Sequence, residues 1–447
     1  MTTISDFISN DRDRIFSQLS ELVAFNSVHN EPGLEEEPKK AAQWVQAAFT
    51  EAGFDIKAIE TADGSTAIVG SKPGDAAKPT VLLYSHYDVV PVGNVEAWES
   101  DPLTLTERNG RWYGRGAADC KGNVVMHLAA LRALEQAGGT DLNLKVLIEG
   151  SEERGGNGLS QLIEDRPELF AADAILIADG GNTKVGQPTL LTSLRGGAQI
   201  NVQVDTLAAG VHSGSFGGAA PDAAKALMRT LDSLTDEYGR TVIDGVDCAR
   251  TWDGAPYPRE DFRGDALLLD GVDIMGTEDD AIADMVWSRP AVSVTGFTST
   301  PVAEAVNAVA HTAQANLNVR VPADMDSAEV AEAVKAHLEN HVPWNAHIKV
   351  TILEVNRGFS TDPNKPAAKT LGDCLAEAYG KETIQSGMGG SIPLTVELQE
   401  AHPNAEIALF GVEEPLCTIH SANESVDPTE IEHIAIAEAL FLQRYTK

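Results

Sequence analysis

The stretch Val81–Gly156 decides the fold: it carries VLLYSHYDVVP (Val81–Pro91), GRGAADCKG (Gly114–Gly122) and LIEGSEERGG (Leu147–Gly156). Thr80–Tyr84 is apolar on both faces, the pattern of a central strand covered by helices. Leu142–Ile148 repeats that pattern, and Val124–Leu134 between them reads as a helix. The apolar runs end in His86, Asp88, Glu152 and Glu153, metal-ligand types at the tips of successive buried strands. An open α/β sheet places its chemistry there. The stretch therefore predicts a two-metal hydrolase whose remaining ligands lie elsewhere in the chain.

Outward from it, the same alternation continues. Ile15, Leu19 and Leu22 recur at helical spacing, and a second amphipathic helix runs from about Glu35 to Ala52. Gly158–Asp165 predicts a short helix, and Ala174–Ala178 a buried strand ending at Asp179-Gly180. Strands alternating with helices predict an α/β fold, a mostly parallel sheet covered by helices. Near Arg195 the pattern changes to alternating strands at Gln199–Asp205, Gln314–Val321 and Ile348–Val355 and a strand-like run at Ala291–Thr295, with helices at Pro221–Leu234 and Ser327–Leu338. This is a β-α-β-β-α-β outline, an α+β domain inserted at residues 195–358 between the halves 1–194 and 359–447 of the first. The acidic tract from Asp236 to Asp284 predicts irregular loops.

With 447 residues, two domains are expected. Lys and Arg number 33 against 67 Asp and Glu, a formal charge of −34 that disfavours nucleic-acid backbones and anionic membranes as partners. The N-terminus lacks the basic and apolar regions of a signal peptide, and no apolar run is long enough to span a bilayer. Cys120, Cys248, Cys374 and Cys417 form no C-x-x-C pair, which fits reduced thiols and a cytoplasmic location.

Taken singly, the candidate ligands have duller readings. Asp119 is a favoured N-cap type ahead of a helix. Glu152 and Glu153 beside two glycines are ordinary turn residues, and Asp179-Gly180 is an ordinary turn. Together, His86, Asp119, Glu152, Glu153, Asp179 and His420 of TIHSANE all fall at strand or loop ends. His86 and Asp88, two apart, suit a histidine ligand oriented by a carboxylate. Of two adjacent glutamates, one can bind metal while the other serves as general base.

The ordered set SHYDVVP, Trp98–Leu103, GRGAADCKG, EGSEERGG, GVHSGSFGG, GGSIP and HSANE resembles the co-catalytic di-zinc metallopeptidases that include carnosinase, bacterial dipeptidases, aminoacylase and succinyl-diaminopimelate desuccinylase, most of all the carnosinase-like dipeptidase branch. The resemblance covers nearly the whole chain. It implies that His86 and Asp179 bind one metal ion, Glu153 and His420 the other, and that Asp119 bridges them, its bond to Cys120 being cis. It implies Glu152 as general base for a hydroxide shared by the metals, and Asp88 as partner of His86. The cofactors implied are two divalent ions, zinc or manganese. The inserted domain is expected to be a lid and homodimer interface. His212 would stabilise the developing oxyanion, while Arg320, Ser391 and Gly390 bind the substrate's carboxylate end and Asn307 its carbonyl.

One departure bears on substrate. Carnosinase-like relatives often carry Arg-Glu before GGSIP, where this chain has Gly387-Met388. The acid that would meet a free amino group is missing. The expected activity is hydrolysis of dipeptides or short peptides. Deacylation of N-acyl amino acids and a non-catalytic peptide-binding role are the alternatives.

Overall fold

The computed structural model describes residues 3–390 and 392–446. Thr80–His86 is buried from Val81 to its end because it has parallel neighbours on both sides. His86 stands opposite Glu149 of Asn143–Glu149, and Leu83 opposite Leu176 of Ala174–Ala178. Ala174–Ala178 pairs in parallel with Glu406–Phe410. These strands form the parallel centre of the sheet. Its flanks are antiparallel: Asp55–Glu60 and Thr66–Lys72 form a hairpin beside Asn143–Glu149, and Thr189–Leu194 lies beside Glu406–Phe410. The hairpin turns through Asp63-Gly64, where Gly64 at φ 83° takes the left-handed conformation that favours glycine.

The helix Lys121–Gln136 is apolar nearly all round and buried along its length, as a helix sandwiched between the sheet and another helix must be. It packs on Thr80–His86 and on the closing helix Pro428–Arg444. Three local features depart from expectation. The first helix is broken into Ile4–Asn10 and Arg12–Val23 at Asp11. The segment after Pro91, which shows no apolar run or helical spacing, contributes Thr106–Arg108 and Arg111–Tyr113 to a small sheet with Ser425–Val426. The glycine cluster leads directly into a helix, Pro393–Ala401, with proline in its first turn, where no N–H is missed.

The chain divides into two compact units. One contains residues 1–192, 361–386 and 392–447; the other contains 193–360 and the short segment 387–391. Arg195 N–H donates to the Met388 carbonyl at 3.2 Å within the second unit.

The second unit is built on an antiparallel sheet in the order Ala291–Thr298, Thr312–Val321, Gly196–Asp205, His347–Asn356. Burial alternates along Thr312–Val321, and the inward side chains Ala313, Ala315, Leu317 and Val319 pack with Leu227, Val330, Val334 and Leu338 of the two helices. The tract 236–284 is mostly irregular, with one helix, Arg259–Asp265. Asp280, ion-paired to Arg240 at 2.7 Å and Arg289 at 3.0 Å, ties its ends together. Asp244, His337 and His341 also cluster here. Both ring nitrogens of His337 are engaged, one by the Asp244 amide at 3.1 Å and one by the Ser233 carbonyl at 3.0 Å.

Candidate metal centre

His86 is the last residue of its strand and is fully buried. Its Nε2 faces Asp119 Oδ1 at 3.1 Å and Asp179 Oδ1 at 3.2 Å, yet makes no hydrogen bond. Asp179 directly follows the buried strand Ala174–Ala178. Asp119 sits in the turn before Lys121–Gln136, its bond to Cys120 is cis, and it does not cap that helix. Its second oxygen faces His420 Nε2 at 3.1 Å, and that nitrogen lies 3.0 Å from Glu153 Oε2. His420 is held there on a left-handed backbone, φ 60°, in the loop before the last helix.

Two trios result, His86–Asp119–Asp179 and His420–Asp119–Glu153, and Asp119 gives one oxygen to each. Donors each about 2 Å from a shared cation stand about 3 to 3.5 Å from one another. The spacings fit that geometry, and the orphaned Nε2 of His86 is a buried lone pair or donor facing the carboxylates of Asp119 and Asp179. Cys120 is close enough to His86 and Asp179 to be a third donor, but its thiol is engaged elsewhere. Its Sγ–H donates to the Ala178 carbonyl at 3.1 Å, and burial pushes the thiol up, away from the thiolate that a metal requires.

Glu152 and Glu153 lie in a single helical turn after Asn143–Glu149, closed by Gly155 at φ 94°. Their side chains diverge. Glu153 enters the second trio, while Glu152 Oε2 stops 4.0 Å from His86 Nε2, outside both. Asp88 fixes this turn: its two oxygens accept from the amides of Glu152 at 3.1 Å and Glu153 at 3.0 Å. Expected to orient His86, Asp88 lies 3.3 Å from the His86 ring, but the ring's hydrogen-bonding contact is with the Asp88 carbonyl at 3.2 Å. Its carboxylate does more for the glutamates than for the histidine.

Two glutamates went unassigned in the sequence. Glu424, last residue of HSANE, is buried and accepts from the amides of Gly116, Ala118 and Asp119 at 3.0–3.1 Å, and from Arg115 at 2.6 Å. It thereby moulds the turn that presents Asp119. Glu413 approaches Asp119 and Asp179, with Oε1 buried and unpartnered. A Cβ on Gly181 would collide with the Glu413 backbone, so the Asp179-Gly180-Gly181 sequence allows this approach. The motifs containing Arg115 and Glu424 were visible. Their mutual bond, joining positions far apart in the chain, was not.

The pocket holds more acids than its imidazoles can balance. Burial raises Asp179, and lifts Glu153 to about 7 despite the hydrogen bond from His420. Burial and the nearby Asp119 and Asp179 push Glu413 well up. Hydrogen bonds to Asp119 and Glu153 hold His420 protonated up to about 10. Cations entering the site must displace these protons, because ligands bind deprotonated. Metal uptake at pH 7.5 should therefore release protons, seen as a calorimetric enthalpy that varies with buffer ionisation, and affinity should fall as pH is lowered through 7. A buffer-independent enthalpy would contradict this electrostatic account.

The remaining predicted residues lie in or beside the second unit's elements. His212 ends the two-residue strand Val211–His212, opposite Ala308, and is exposed. Its Nδ1 accepts from the Ser215 amide at 3.2 Å, which leaves the proton on Nε2 as a free donor. Asn307 is adjacent, its carbonyl accepting from the Ser213 amide at 2.9 Å. Arg320 projects from Thr312–Val321, opposite Gly197 and Ala291. Gly390 belongs to the same unit, and Ser391 lies outside the described residues.

The chain is 56% identical over 442 residues to the cysteinylglycine-S-conjugate dipeptidase of Corynebacterium striatum, covering 98% of this chain and 97% of that one. Its fold matches the dipeptidase Dug1p of Saccharomyces cerevisiae with a TM-score of 0.81 at 24% identity, covering 98% and 97% of the two chains. Human carnosine dipeptidase 1 matches with a TM-score of 0.81 at 22% identity over 98% and 97%. The sequence profile of peptidase family M20/M25/M40 matches residues 82–444, and the chain belongs to that family.

Proposed function

We propose that this enzyme hydrolyses the peptide bond of dipeptides, foremost cysteinylglycine and its S-substituted conjugates, with two divalent cations at the paired trios. The observation that carries the reading is Asp119 shared between two histidine–carboxylate sites, with Glu152 beside them and bound to neither. His86 and Asp179 would hold one ion, His420 and Glu153 the other. A cation pair bound there supplies Lewis-acid polarisation of the carbonyl and makes a water acidic at neutral pH.

The chain's own residues do the rest. Glu152 takes the attacking water's proton and later returns it to the leaving nitrogen. Asp88 keeps that carboxyl in place by binding its backbone amide. His212, with Nε2–H free, donates to the carbonyl oxygen as it gains charge. Arg320 and the Gly389-Gly390 backbone take the C-terminal carboxylate. The donor set is nitrogen and oxygen throughout, so zinc and manganese are both accommodated, and zinc is the ion proposed.

Three further features complete the proposal. The strand Ala291–Thr298 is an edge of its sheet with Val294 and Phe297 exposed, which supports a homodimer through the inserted unit. The cysteines are free, which supports a cytoplasmic location. Among the described residues no helix is long and apolar enough to cross a membrane.

Dipeptides are preferred to N-acyl amino acids because the dipeptidase relative matches over nearly the full chain. The glycine that stands where carnosinase-like relatives often carry the arginine has a local correlate: a Cβ on Gly387 would press on the Trp287 ring at 2.9 Å. A panel of Cys-Gly and S-methyl-Cys-Gly against N-acetyl and N-succinyl amino acids tests the reading. The dipeptides should lead in kcat/KM by about two orders of magnitude. A lead for the N-acyl compounds would make the enzyme a deacylase.

A further inference from the structure

Arg195 stands immediately before the strand Gly196–Asp205, in the unit that contains Arg320 and Gly389-Gly390. Its Nε and Nη1 are buried and have no hydrogen-bond partner. No carboxylate among the described residues lies within ion-pair distance of it or of Arg320. The charge that acts on Arg195 is that of Arg320, another cation.

This arrangement is unusual for the chain. With 67 acids to 33 basic residues, an arginine here has ample opportunity for a partner. Other enclosed arginines find one, as Arg115 does in Glu424 and Arg289 in Asp280. A guanidinium cannot shed its proton, and burying it unpaired is costly. Two guanidinium groups close enough to repel, without a carboxylate partner among the described residues, leave a place for an anion from outside. The neighbouring backbone keeps that place open. A Cβ on Gly389 would stand 3.3 Å from Arg195 Nη2, so the glycine leaves the fork clear. Burial and Arg320 lower the Arg195 guanidinium to about 10, which still leaves it charged at neutral pH.

We propose that Arg195 and Arg320 together form a two-guanidinium clamp for the substrate's free C-terminal carboxylate, with Arg195 as a substrate-binding residue that sets specificity for that end. A carboxylate has two oxygens with about four acceptor sites, enough for both forks. A C-terminal amide presents N–H donors to N–H donors and is rejected. The clamp makes the enzyme require an unblocked carboxyl end adjoining the scissile bond. The proposal rests on the dipeptidase reading and on Arg320 serving that end of the substrate.

The test compares wild type, Arg195→Met and Arg195→Lys on S-methyl-Cys-Gly and its C-terminal amide. Wild type should prefer the free acid strongly. Arg195→Met should cut that preference by roughly 30- to 100-fold, through a raised KM for the acid and little change for the amide. Arg195→Lys should restore part of it, a point charge without the fork. The melting temperature of Arg195→Met should equal or exceed wild type, because an unpaired buried charge is removed; a structural arginine would give the opposite. An unchanged acid-to-amide ratio in Arg195→Met overturns the proposal, and so does a wild type indifferent to the amide.

Calorimetric binding of N-acetylglycine, a carboxylate probe that needs no turnover, separates this from failure of the dipeptidase reading. Binding lost in Arg195→Met supports the clamp whatever the substrate turns out to be. Equal binding by both proteins overturns the clamp even if dipeptides are cleaved.

Discussion

Replacing Glu152 by glutamine should lower kcat by about three orders of magnitude while leaving both metal sites filled. The substitution is nearly isosteric, and the bond that holds the turn comes from the backbone: Glu152 N–H donates to Asp88 at 3.1 Å whatever the side chain. Glu152 contributes no oxygen to either histidine–carboxylate trio, so the ions lose no ligand. The amide cannot take a proton from water or return one to the departing amine. Burial, reinforced by Asp179, pushes the Glu152 carboxyl well up, so it can hold a proton between the two transfers. The KM should change little, because the proton is moved only in the transition state. Steady-state kinetics with metal analysis on the same sample decide the matter. Full activity would remove Glu152 from the chemistry. Loss of metal together with activity would make it a ligand, the role assigned to its neighbour Glu153.

That neighbour shows how much was legible beforehand. The doublet Glu152-Glu153 after a buried strand marked a site, and the resemblance supplied a division of labour. Only the folded turn shows the cause of the divergence, with Glu153 turned to His420 and Glu152 left beside His86. Periodicity disclosed the parallel strands because they are buried on both faces and read as unbroken apolar runs. The antiparallel flanks and the small sheet around Arg111–Tyr113 were harder, since short strands carry few residues of pattern. Glu424 and Glu413 were invisible as functional groups for a different reason. Each acts through bonds to residues hundreds of positions away, Glu424 on the Gly116–Asp119 amides and Glu413 on the acids of the first trio. Long-range pairing of a lone glutamate leaves no local trace. Arg195 was read merely as the place where the pattern changed, and its lack of a partner becomes visible only when its surroundings are known.

Asp119→Asn should abolish activity by a different route, through loss of the metal pair. The carboxylate gives Oδ1 to His86 and Oδ2 to His420, at 3.1 Å in each case, and so belongs to both trios. Asparagine keeps one acceptor oxygen and turns an NH₂ toward the other histidine, a donor where a ligand is required. At least one site is lost, and the other loses the negative charge that offset its cation. The fold should survive. Glu424 holds the turn through the backbone amides of Gly116, Ala118 and Asp119, and these do not depend on the Asp119 side chain. Thermal unfolding gives the sharpest readout, because a ligand that binds only the folded state stabilises it by mass action. Zinc at a hundred times its dissociation constant should stabilise the wild type by about 2.7 kcal/mol per site. The variant should show at most half of that response, with catalysis near background. Wild-type metal content and an undiminished zinc-dependent shift in Asp119→Asn would mean that the two sites do not share this carboxylate. The paired-ion chemistry built on the sharing would then have to be abandoned, even if each histidine binds a cation of its own.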